Sequence, residues 1–448
     1  MIRFVYDLLL LLVAPIAVMH LLIRGLLKDR GYWRFLSERF GYGPRVVRPT
    51  LWIHAVSFGE MQGAAPLVNT LRERHPECGV LITTFTPTGR ARARTLFGDA
   101  VDVRYVPFDL CGAVARFLAR ARPRLVVIME TELWPNLFAA CGRRGIPLLL
   151  ASARLSPRPS GGGRLLVPLL REALSHGVVI GAQTAQDAAR YAAAGAPRER
   201  IHVTGNAKFD FDPGADAPER ARRFRAVHAD RRPVWIAGST HEGEESVVLA
   251  AHERLCARFP DALLLLAPRH PHRFAAVAAL LESRGVRYVL RSTGRMPDAG
   301  CAVLLVDTLG ELSMLYGAAD AAFVGGSLVP VGGHNLLEPA ALGLPLLSGP
   351  YTFNAEDIAQ LLIAEGGAQV VTTAETLAGQ LVQLFADAPA RARIGARGKA
   401  VVEANRGALS RLLALLAPVI AATLTESPVP VLPAAAPAPS SPSGRASR

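Results

Sequence analysis

The chain has 448 residues, more than one hydrophobic core usually supports, so we expect two domains of similar size. Half of the residues are hydrophobic and the formal net charge is +13, which favours anionic partners such as acidic lipid headgroups. Aromatic residues make up only 6% and form no arginine-aromatic motif of the RNA-binding kind, so we expect no nucleic-acid partner. The five cysteines form no CxxC pair, which argues against a disulfide framework and a zinc site.

The first predicted element is an N-terminal membrane anchor, residues 1–30. The run from Phe4 to Ile23 is apolar except for Asp7, Pro15 and His20, and basic residues follow it. This length can just span a bilayer core, and the positive charge after it would keep the remainder in the cytoplasm. Because the charged region follows the apolar run, a cleaved signal peptide is disfavoured. A buried helix and an in-plane amphipathic anchor remain open alternatives.

From Leu51 onward, short apolar runs alternate with longer helical stretches. The strand-like runs of the first series are LWIHAV, VLITTF, VRYVPF, LVVIME, IPLLLAS and HGVVIGAQ. After a charged segment, a second series follows with PVWIAGS, ALLLLAP, AVLLVD, AAFVGG and LPLLSG. Such alternation predicts an α/β fold of two doubly wound, Rossmann-like domains whose carboxyl-end loops face a cleft.

The composition also predicts where the domains begin and end. We expect a first domain at 31–212, a linker at 213–232 and a second domain at 233–425. The leucine-rich segment 407–421 is predicted to be helical and can pack on either domain. Residues 426–448 are rich in Pro, Ala and Ser and bury too little apolar surface to offset the entropy of ordering, so we predict a disordered tail.

The second series contains a glycine-rich segment, GGSLVPVGGHNLLEPAALGLPLLSGPYTFN, that runs from Gly325 to Asn354. An apolar strand passes there into glycine turns and then into a helix predicted to open at Asn335 and to carry Glu338. Backbone N–H groups and a positive helix end suit a phosphate, and an early carboxylate can accept hydrogen bonds from ribose. Glycines also serve ordinary turns, but their clustering around one turn favours a nucleotide site.

Carboxylates end two strands of the first series. Glu60 follows LWIHAV at the head of a helix, and Glu130 and Glu132 follow LVVIM. Doubly wound domains keep reactive groups at these loops, and carboxylates at an apolar strand end are costly to bury unless they bind something. The alternatives are that Glu60 only complements the helix dipole, and that one of the other two caps a helix near Pro135 while the other pairs with Arg154.

Cationic side chains follow strands in both series. Lys208, in GNAKFD, could neutralise a phosphate across the cleft, although a solvated lysine is the ordinary alternative. Arg269 ends ALLLLAPR, where an arginine suits bidentate recognition of phosphate or carboxylate. Asp210 and Asp212 resemble a metal-binding DxD, a pattern that is common by chance. The histidines after Arg269 have no ligand cluster beside them, so we expect no metal.

Together and in this order, these motifs resemble the 3-deoxy-D-manno-octulosonic acid (Kdo) transferases of lipid A assembly. The matching blocks extend over nearly all of the chain outside the tail and are HAVSFGE, TTFTPTG, METELWPN, ARLS, GNAKFD, GSTHEGEE, APRHPHRF, DTLGELSMLYGAADAAFVGGSLVPVGGHNLLEPA and GPYTFN. The resemblance implies a GT-B type glycosyltransferase at the cytoplasmic face of the bacterial inner membrane. It would move Kdo from CMP-Kdo to a lipid A precursor and invert the anomeric centre.

The resemblance also implies roles for individual residues. The catalytic base would be Glu60, and Glu130 and Lys208 would stabilise the transition state. The residues implied to bind CMP are Pro268, Arg269, Leu309, Gly310, Glu311, Asn335, Leu336, Leu337 and Glu338. A CMP-sugar has one phosphate, whose charge these protein groups could meet alone, so we expect no metal ion and no other cofactor.

Two other functions remain open. Another membrane-associated GT-B transferase would use a UDP-sugar donor and a lipid-linked acceptor. A catalytically silent, membrane-tethered nucleotide sensor would use Glu60 and Glu130 only for helix caps and ion pairs.

Overall fold

The computed structural model of the protein describes residues 2–27, 30–130, 132–155, 167–211, 216–229, 232–295, 297–298 and 300–425. The predicted tail at 426–448 lies outside these residues. The described chain contains two seven-stranded parallel sheets, and each sheet has a hydrophobic core on both faces. The predicted α/β class with two doubly wound domains is therefore confirmed.

The chain begins with helices that precede the first sheet. They are α1 (Ile2–Leu27) and the short α2 (Leu36–Arg39), with a 3-10 turn at Arg30–Tyr32 between them. Apolar side chains along one side of α1 are exposed, as at Leu12 (64%) and Ile16 (68%). The length and composition of α1 would allow it to cross a membrane.

The first domain is built on a sheet that follows the order of the chain outward from its centre. Its strands are β1 (Thr50–His54), β2 (Gly79–Thr84), β3 (Asp102–Tyr105), β4 (Pro123–Met129), β5 (Leu148–Ala153), β6 (Val179–Ala182) and β7 (Ile201–Val203). The helices between them are α3 (Phe58–Arg74), α4 (Pro87–Phe97), α5 (Cys111–Ala121), α6 (Pro135–Arg143), α7 (Val167–Leu174) and α8 (Ala185–Ala193). The strand order is β3-β2-β1-β4-β5-β6-β7.

The second domain repeats this plan. Its strands are β8 (Val234–Thr240), β9 (Leu263–Pro268), β10 (Tyr288–Leu290), β11 (Val303–Leu305), β12 (Ala321–Val324), β13 (Leu346–Ser348) and β14 (Ala368–Val370). Its helices are α9 (Ala217–His228), α10 (Glu244–Cys256), α11 (Phe274–Ser283), α12 (Leu312–Gly317), α13 (Leu337–Ala341), α14 (Glu356–Ala364), α15 (Ala374–Ala386), α16 (Ala388–Asn405) and α17 (Ala408–Thr425). The strand order is β10-β11-β9-β8-β12-β13-β14.

How deeply a strand is buried explains whether it could be predicted from the sequence. Every position of β1, β9 and β12 is buried, and strands covered on both faces read as continuous apolar runs. The edge strands β10 and β14 were not predicted. Each has only three residues and partly exposed positions, so neither leaves a clear apolar signal.

The last helix, α17, crosses back to the first domain. Leu416 and Ile420 are buried in the core that also contains residues of β1, β2 and β4. Both carboxylate oxygens of Asp210 accept hydrogen bonds at the start of α17, from the N–H groups of Gly407 and Leu409 (2.6 Å each). The leucine-rich segment therefore packs on the first domain although it follows the second in sequence.

Candidate functional site in the cleft between the domains

A phenylalanine links the two domains at their cleft. The Phe58 ring, at the start of α3, has its centroid 5.1 Å from the guanidinium carbon of Arg92 and 5.1 Å from that of Arg269. Arg92 lies on α4 of the first domain, whereas Arg269 follows β9 of the second. Arg154 and Asp357 form an ion pair that also joins the domains. The predicted base loop and the predicted donor loop thus meet in one cleft.

Glu60 lies in the first turn of α3, whose N-cap is Ser57. Its carboxylate accepts hydrogen bonds from the Val56 N–H (2.8 Å) and the Ser57 hydroxyl (3.1 Å), and Ser57 accepts one from the Glu60 N–H. Burial and the nearby charge of Glu130 raise the pKa of Glu60 to about 7, although the two hydrogen bonds oppose this rise. Glu60 therefore fits the helix-cap alternative and is also able to exchange a proton near neutral pH.

Glu130 forms an ion pair with Lys208 beside Glu60. Nζ of Lys208 lies 2.5 Å from Oε1 of Glu130, and each side chain is 25% exposed. The backbone of Glu130 has a φ of 57°, a left-handed conformation that is uncommon for residues with a side chain and that clusters at functional sites. Ser152, also with positive φ, accepts a hydrogen bond from the Ala207 N–H (3.0 Å) and so positions the turn that carries Lys208.

The three predicted catalytic residues line one narrow crevice, in which Glu60, Glu130 and Lys208 come together. Gly63 lies on α3 one turn after Glu60, and a β-carbon there would come 3.1 Å from Cγ of Lys208. The glycine therefore leaves space for the lysine stem to reach Glu130. The catalytic roles of these residues remain predictions.

The helix-cap alternative for Glu130 and Glu132 is wrong. The N–H groups at the start of α6, those of Asn136 and Leu137, donate instead to the buried carboxylate of Asp109 (2.9 Å each). Burial raises the pKa of Glu132. The start of α6 therefore uses Asp109, and neither glutamate at the end of β4, as its cap.

The donor side of the cleft contains an arginine and a carboxylate. Pro268 ends β9, and the N–H of Arg269 donates to the Thr240 carbonyl (2.9 Å). Among the described residues, the Arg269 guanidinium makes no ion pair. Burial raises the pKa of Glu338, and hydrogen bonds from Ser313 and Asn335 oppose this rise only in part. Arg269 is therefore free to pair with an anionic ligand.

The helix predicted to open at Asn335 begins two residues later and is short. It is α13, which starts at Leu337 with Leu336 as its N-cap and has only 5 residues, so its dipole is weaker than predicted. The Asn335 side chain accepts a hydrogen bond from the Leu337 N–H (3.0 Å) and donates one to Glu338 (3.2 Å). At this junction, the side chains of Asn335 and Glu338 are therefore better candidates for contacting a ligand than the amino-terminal end of the short helix α13.

The stretch Leu309 to Glu311 lies immediately before α12. Burial raises the pKa of Glu311, but hydrogen bonds from the Thr308 hydroxyl (2.5 Å) and the Arg291 guanidinium (2.7 Å) outweigh it, so that the pKa is lowered overall. Gly310 has a φ of 82°, which favours glycine. Because α12 packs against α13, this stretch and the Asn335 junction lie on the same side of the cleft.

A buried carboxylate that we did not predict holds the glycine-rich turn. Glu244, the first residue of α10, is 0% exposed. Its oxygens accept hydrogen bonds from the N–H groups of His241 (2.9 Å), Gly326 (2.7 Å), Ser327 (3.0 Å) and Leu328 (2.8 Å). The N–H groups of the glycine-rich segment were expected to face a phosphate. Those of Gly326, Ser327 and Leu328 bind Glu244 instead, so the turn depends on this carboxylate for its shape.

The described residues contain no group of three or more His, Cys, Asp or Glu side chains placed to hold a metal ion. The rings of His241 and His334 stack with their Nε2 atoms 2.7 Å apart. Of the DxD pattern, Asp210 caps α17 with both oxygens, and Asp212 lies outside the described residues. Independence from metal remains a prediction.

We expect Glu244→Gln to weaken CMP binding by about fivefold or more, as measured by calorimetry. The amide can accept at one end only, and its NH₂ would face two N–H donors, leaving buried groups unpaired at a cost of about 1–3 kcal/mol. The matched control is Glu242→Gln, because Glu242 lies in the same loop but is 86% exposed. Equal affinities for the two variants would show that the turn does not need the buried carboxylate.

Comparison with known proteins identifies the family. The model described as "3-Deoxy-D-manno-octulosonic-acid transferase (kdotransferase)" matches residues 34–211. The 3-deoxy-D-manno-octulosonic acid transferase of Haemophilus influenzae is 41% identical over 422 residues, which cover 93% of this chain and 98% of that protein. The one of Bordetella pertussis is 41% identical over 399 residues, which cover 86% of this chain and 91% of that protein.

The fold has counterparts among solved structures. The UDP-GlcNAc 2-epimerase from Neisseria meningitidis, bound to UDP-GlcNAc, aligns with a TM-score of 0.53 at 15% identity, over 82% of this chain and 100% of that one. This likeness shows the two-domain GT-B architecture only. By its sequence, the chain belongs to the 3-deoxy-D-manno-octulosonic acid transferase family and is a glycosyltransferase that transfers Kdo.

Proposed function

We propose that the enzyme takes Kdo from CMP-Kdo and transfers it to a lipid A precursor such as lipid IVA, with inversion of the anomeric centre and release of CMP. The observation that carries this proposal is the contact between Phe58 and Arg269. It brings Glu60, a carboxylate that can accept a proton, into the same cleft as an arginine that makes no ion pair within the described chain. A direct displacement needs both groups at one reaction centre.

Glu60 is the proposed general base. A sugar hydroxyl is a poor nucleophile at neutral pH, and a base at the attacking oxygen contributes roughly 10²–10⁴-fold. With a pKa of about 7, Glu60 is partly deprotonated at neutral pH and still basic enough to take the proton. The acceptor oxygen bonds to the anomeric carbon, the bond from that carbon to the phosphate oxygen breaks, and the proton passes to Glu60.

Glu130 and Lys208 are proposed to stabilise the transition state. The anomeric carbon gains positive charge as its bond to the phosphate lengthens, and a nearby carboxylate offsets that charge. The ammonium group of Lys208 can offset negative charge on the departing phosphate or on the Kdo carboxylate. Their ion pair at 2.5 Å keeps both groups ordered before substrate arrives.

CMP leaves as a phosphate monoester, and its developing charge needs cationic or N–H donors. We assign this task to Arg269, which follows Pro268 at the end of β9, and the remaining CMP contacts to the stretches Leu309 to Glu311 and Asn335 to Glu338. This scheme uses protein groups alone.

We further propose that residues 31–212 bind the acceptor and residues 233–425 bind the donor, with α17 returning to the acceptor domain. The proposed linker, 213–232, contains α9, whose Ala221 and Phe224 are buried in the core of the second domain. Residues 1–30 are proposed to attach the enzyme to the cytoplasmic face of the bacterial inner membrane. The exposed apolar side of α1 and the net charge of +13 support attachment to an anionic bilayer.

The base is tested with purified Glu60→Gln, CMP-Kdo and lipid IVA. We expect the rate of Kdo transfer to fall by roughly 10²-fold or more, since an amide cannot take the proton. Mass spectrometry of the lipid measures the product, and CMP affinity should change less than about twofold because Glu60 does not hold the donor. The control is Glu77→Gln, whose side chain is 53% exposed. Transfer by Glu60→Gln at the control rate would disprove the assignment.

The donor is tested by ligand protection against unfolding. At 100 times its Kd, CMP should stabilise the protein by about 2.7 kcal/mol, and UDP at the same concentration should have a much smaller effect. Arg269→Ala should lose most of this protection, whereas Arg258→Ala, at an exposed site in the same domain, should keep it. Stronger protection by UDP would instead favour the UDP-sugar alternative.

A further inference from the structure

The amino-terminal end of α1 is bound to the first domain by polar contacts. The Tyr6 hydroxyl donates to the buried Asp109 carboxylate (2.9 Å), and the side-chain amide of the buried Asn136 donates to Asp7 (2.5 Å). Arg3 forms an ion pair with a glutamate of α7 (3.2 Å). Asp7, an exception in the apolar run, is therefore a docking residue.

The carboxyl-terminal end of α1 is bound to the same domain. Leu21 and Gly25 are buried, and a β-carbon on Gly25 would come 3.2 Å from Cγ of Trp33, which packs against it. The Tyr105 hydroxyl, at the end of β3, donates to the Gly31 carbonyl (2.8 Å) and fixes the turn that follows the helix. Both ends of α1 thus contact the first domain.

Helix length decides between two orientations. Residues 7 and 27 are separated by about 30 Å along a helix, which is also about the thickness of a bilayer core. A spanning helix would place its ends on opposite sides of the membrane, so only one end could contact the domain. The mean hydropathy of α1, 2.2, is compatible with a helix that spans the bilayer and with one that lies along the domain. The contacts at both ends fit only a helix that lies along the domain.

The outward side of α1 has the chemistry of a lipid-facing surface. The less exposed positions repeat every three or four residues from Arg3 to Gly25, and the exposed positions between them are mostly apolar, as at Leu8, Leu11 and Met19.

Basic and aromatic side chains follow this apolar surface. Arg24, Arg30 and Arg34 are exposed, and so are parts of Trp33 (37%) and Phe35 (41%). Arginine with exposed aromatic rings is typical of the layer where lipid headgroups meet acyl chains. The positive charge complements anionic headgroups.

We propose that α1 lies in the plane of the bilayer surface, with its exposed apolar side among the acyl chains and its basic end at anionic headgroups. This rests on the membrane attachment proposed above and specifies its geometry. Asn136, which binds Asp7, lies in the first turn of α6, directly after the connection that carries Glu130. The helix therefore holds the acceptor side of the cleft at the level of the lipid headgroups.

Cross-linking in native membranes tests the orientation. The Cys111 sulfur lies 3.7 Å from both carboxylate oxygens of Asp7, so Asp7→Cys should form a disulfide with Cys111 when diamide is added. Peptide mass spectrometry should find at least ten times more of this disulfide than in the control Leu12→Cys, which lies on the exposed side (64%). The cross-linked enzyme should keep Kdo transfer within about twofold. Equal yields in both variants, or loss of transfer on cross-linking, would overturn the proposal.

A second measurement leaves the sequence of α1 unchanged. An epitope tag placed before Met1 should resist protease added to intact spheroplasts and should be cut after lysis, whereas a spanning helix would expose the tag before lysis. Cleavage in intact spheroplasts would overturn the in-plane orientation. Failure of the wild-type enzyme to transfer Kdo from CMP-Kdo would contradict the proposed function and not the orientation, because tag cleavage and disulfide yield are both measured without a transfer assay.

Discussion

Two carboxylates and one ammonium group share a half-buried crevice, and their mutual electrostatics determine what the site can do. Glu130 forms an ion pair with Lys208 at 2.5 Å, whereas Glu60 accepts hydrogen bonds from Val56 and Ser57 and has a pKa of about 7. If Lys208 were absent, the charge of Glu130 would be buried without compensation. If Glu130 were neutral, Glu60 would become a weaker base. One geometry therefore pairs one carboxylate with an ammonium group and makes its neighbour basic.

The second domain also contains a buried carboxylate, that of Glu244. Glu244 accepts hydrogen bonds from four backbone N–H groups and so holds the glycine-rich turn in one conformation. Arg269 makes no ion pair within the described chain, and it contacts the first domain through the Phe58 ring. The same contact between the domains brings the proposed donor-binding cation into the same cleft as the proposed base.

Much of this arrangement was predictable from the sequence. Buried parallel strands leave continuous apolar runs, so the two sheets were predictable and the carboxyl-end positions of Glu60 and Arg269 followed from them. The contribution of Glu244 was not predictable, because it depends on a turn more than 80 residues away in sequence. The side to which α17 returns and the short length of α13 are likewise set by tertiary packing, which local patterns do not encode.

The central claim concerns a single proton on Glu60, and a carbon-13 NMR titration of its side-chain carboxyl tests it most directly. The account predicts a pKa of about 7, well above the ordinary 4.5, and a decrease in Glu130→Gln because a like charge is removed. A pKa near 4.5 in the wild-type enzyme, unchanged in Glu130→Gln, would contradict the account.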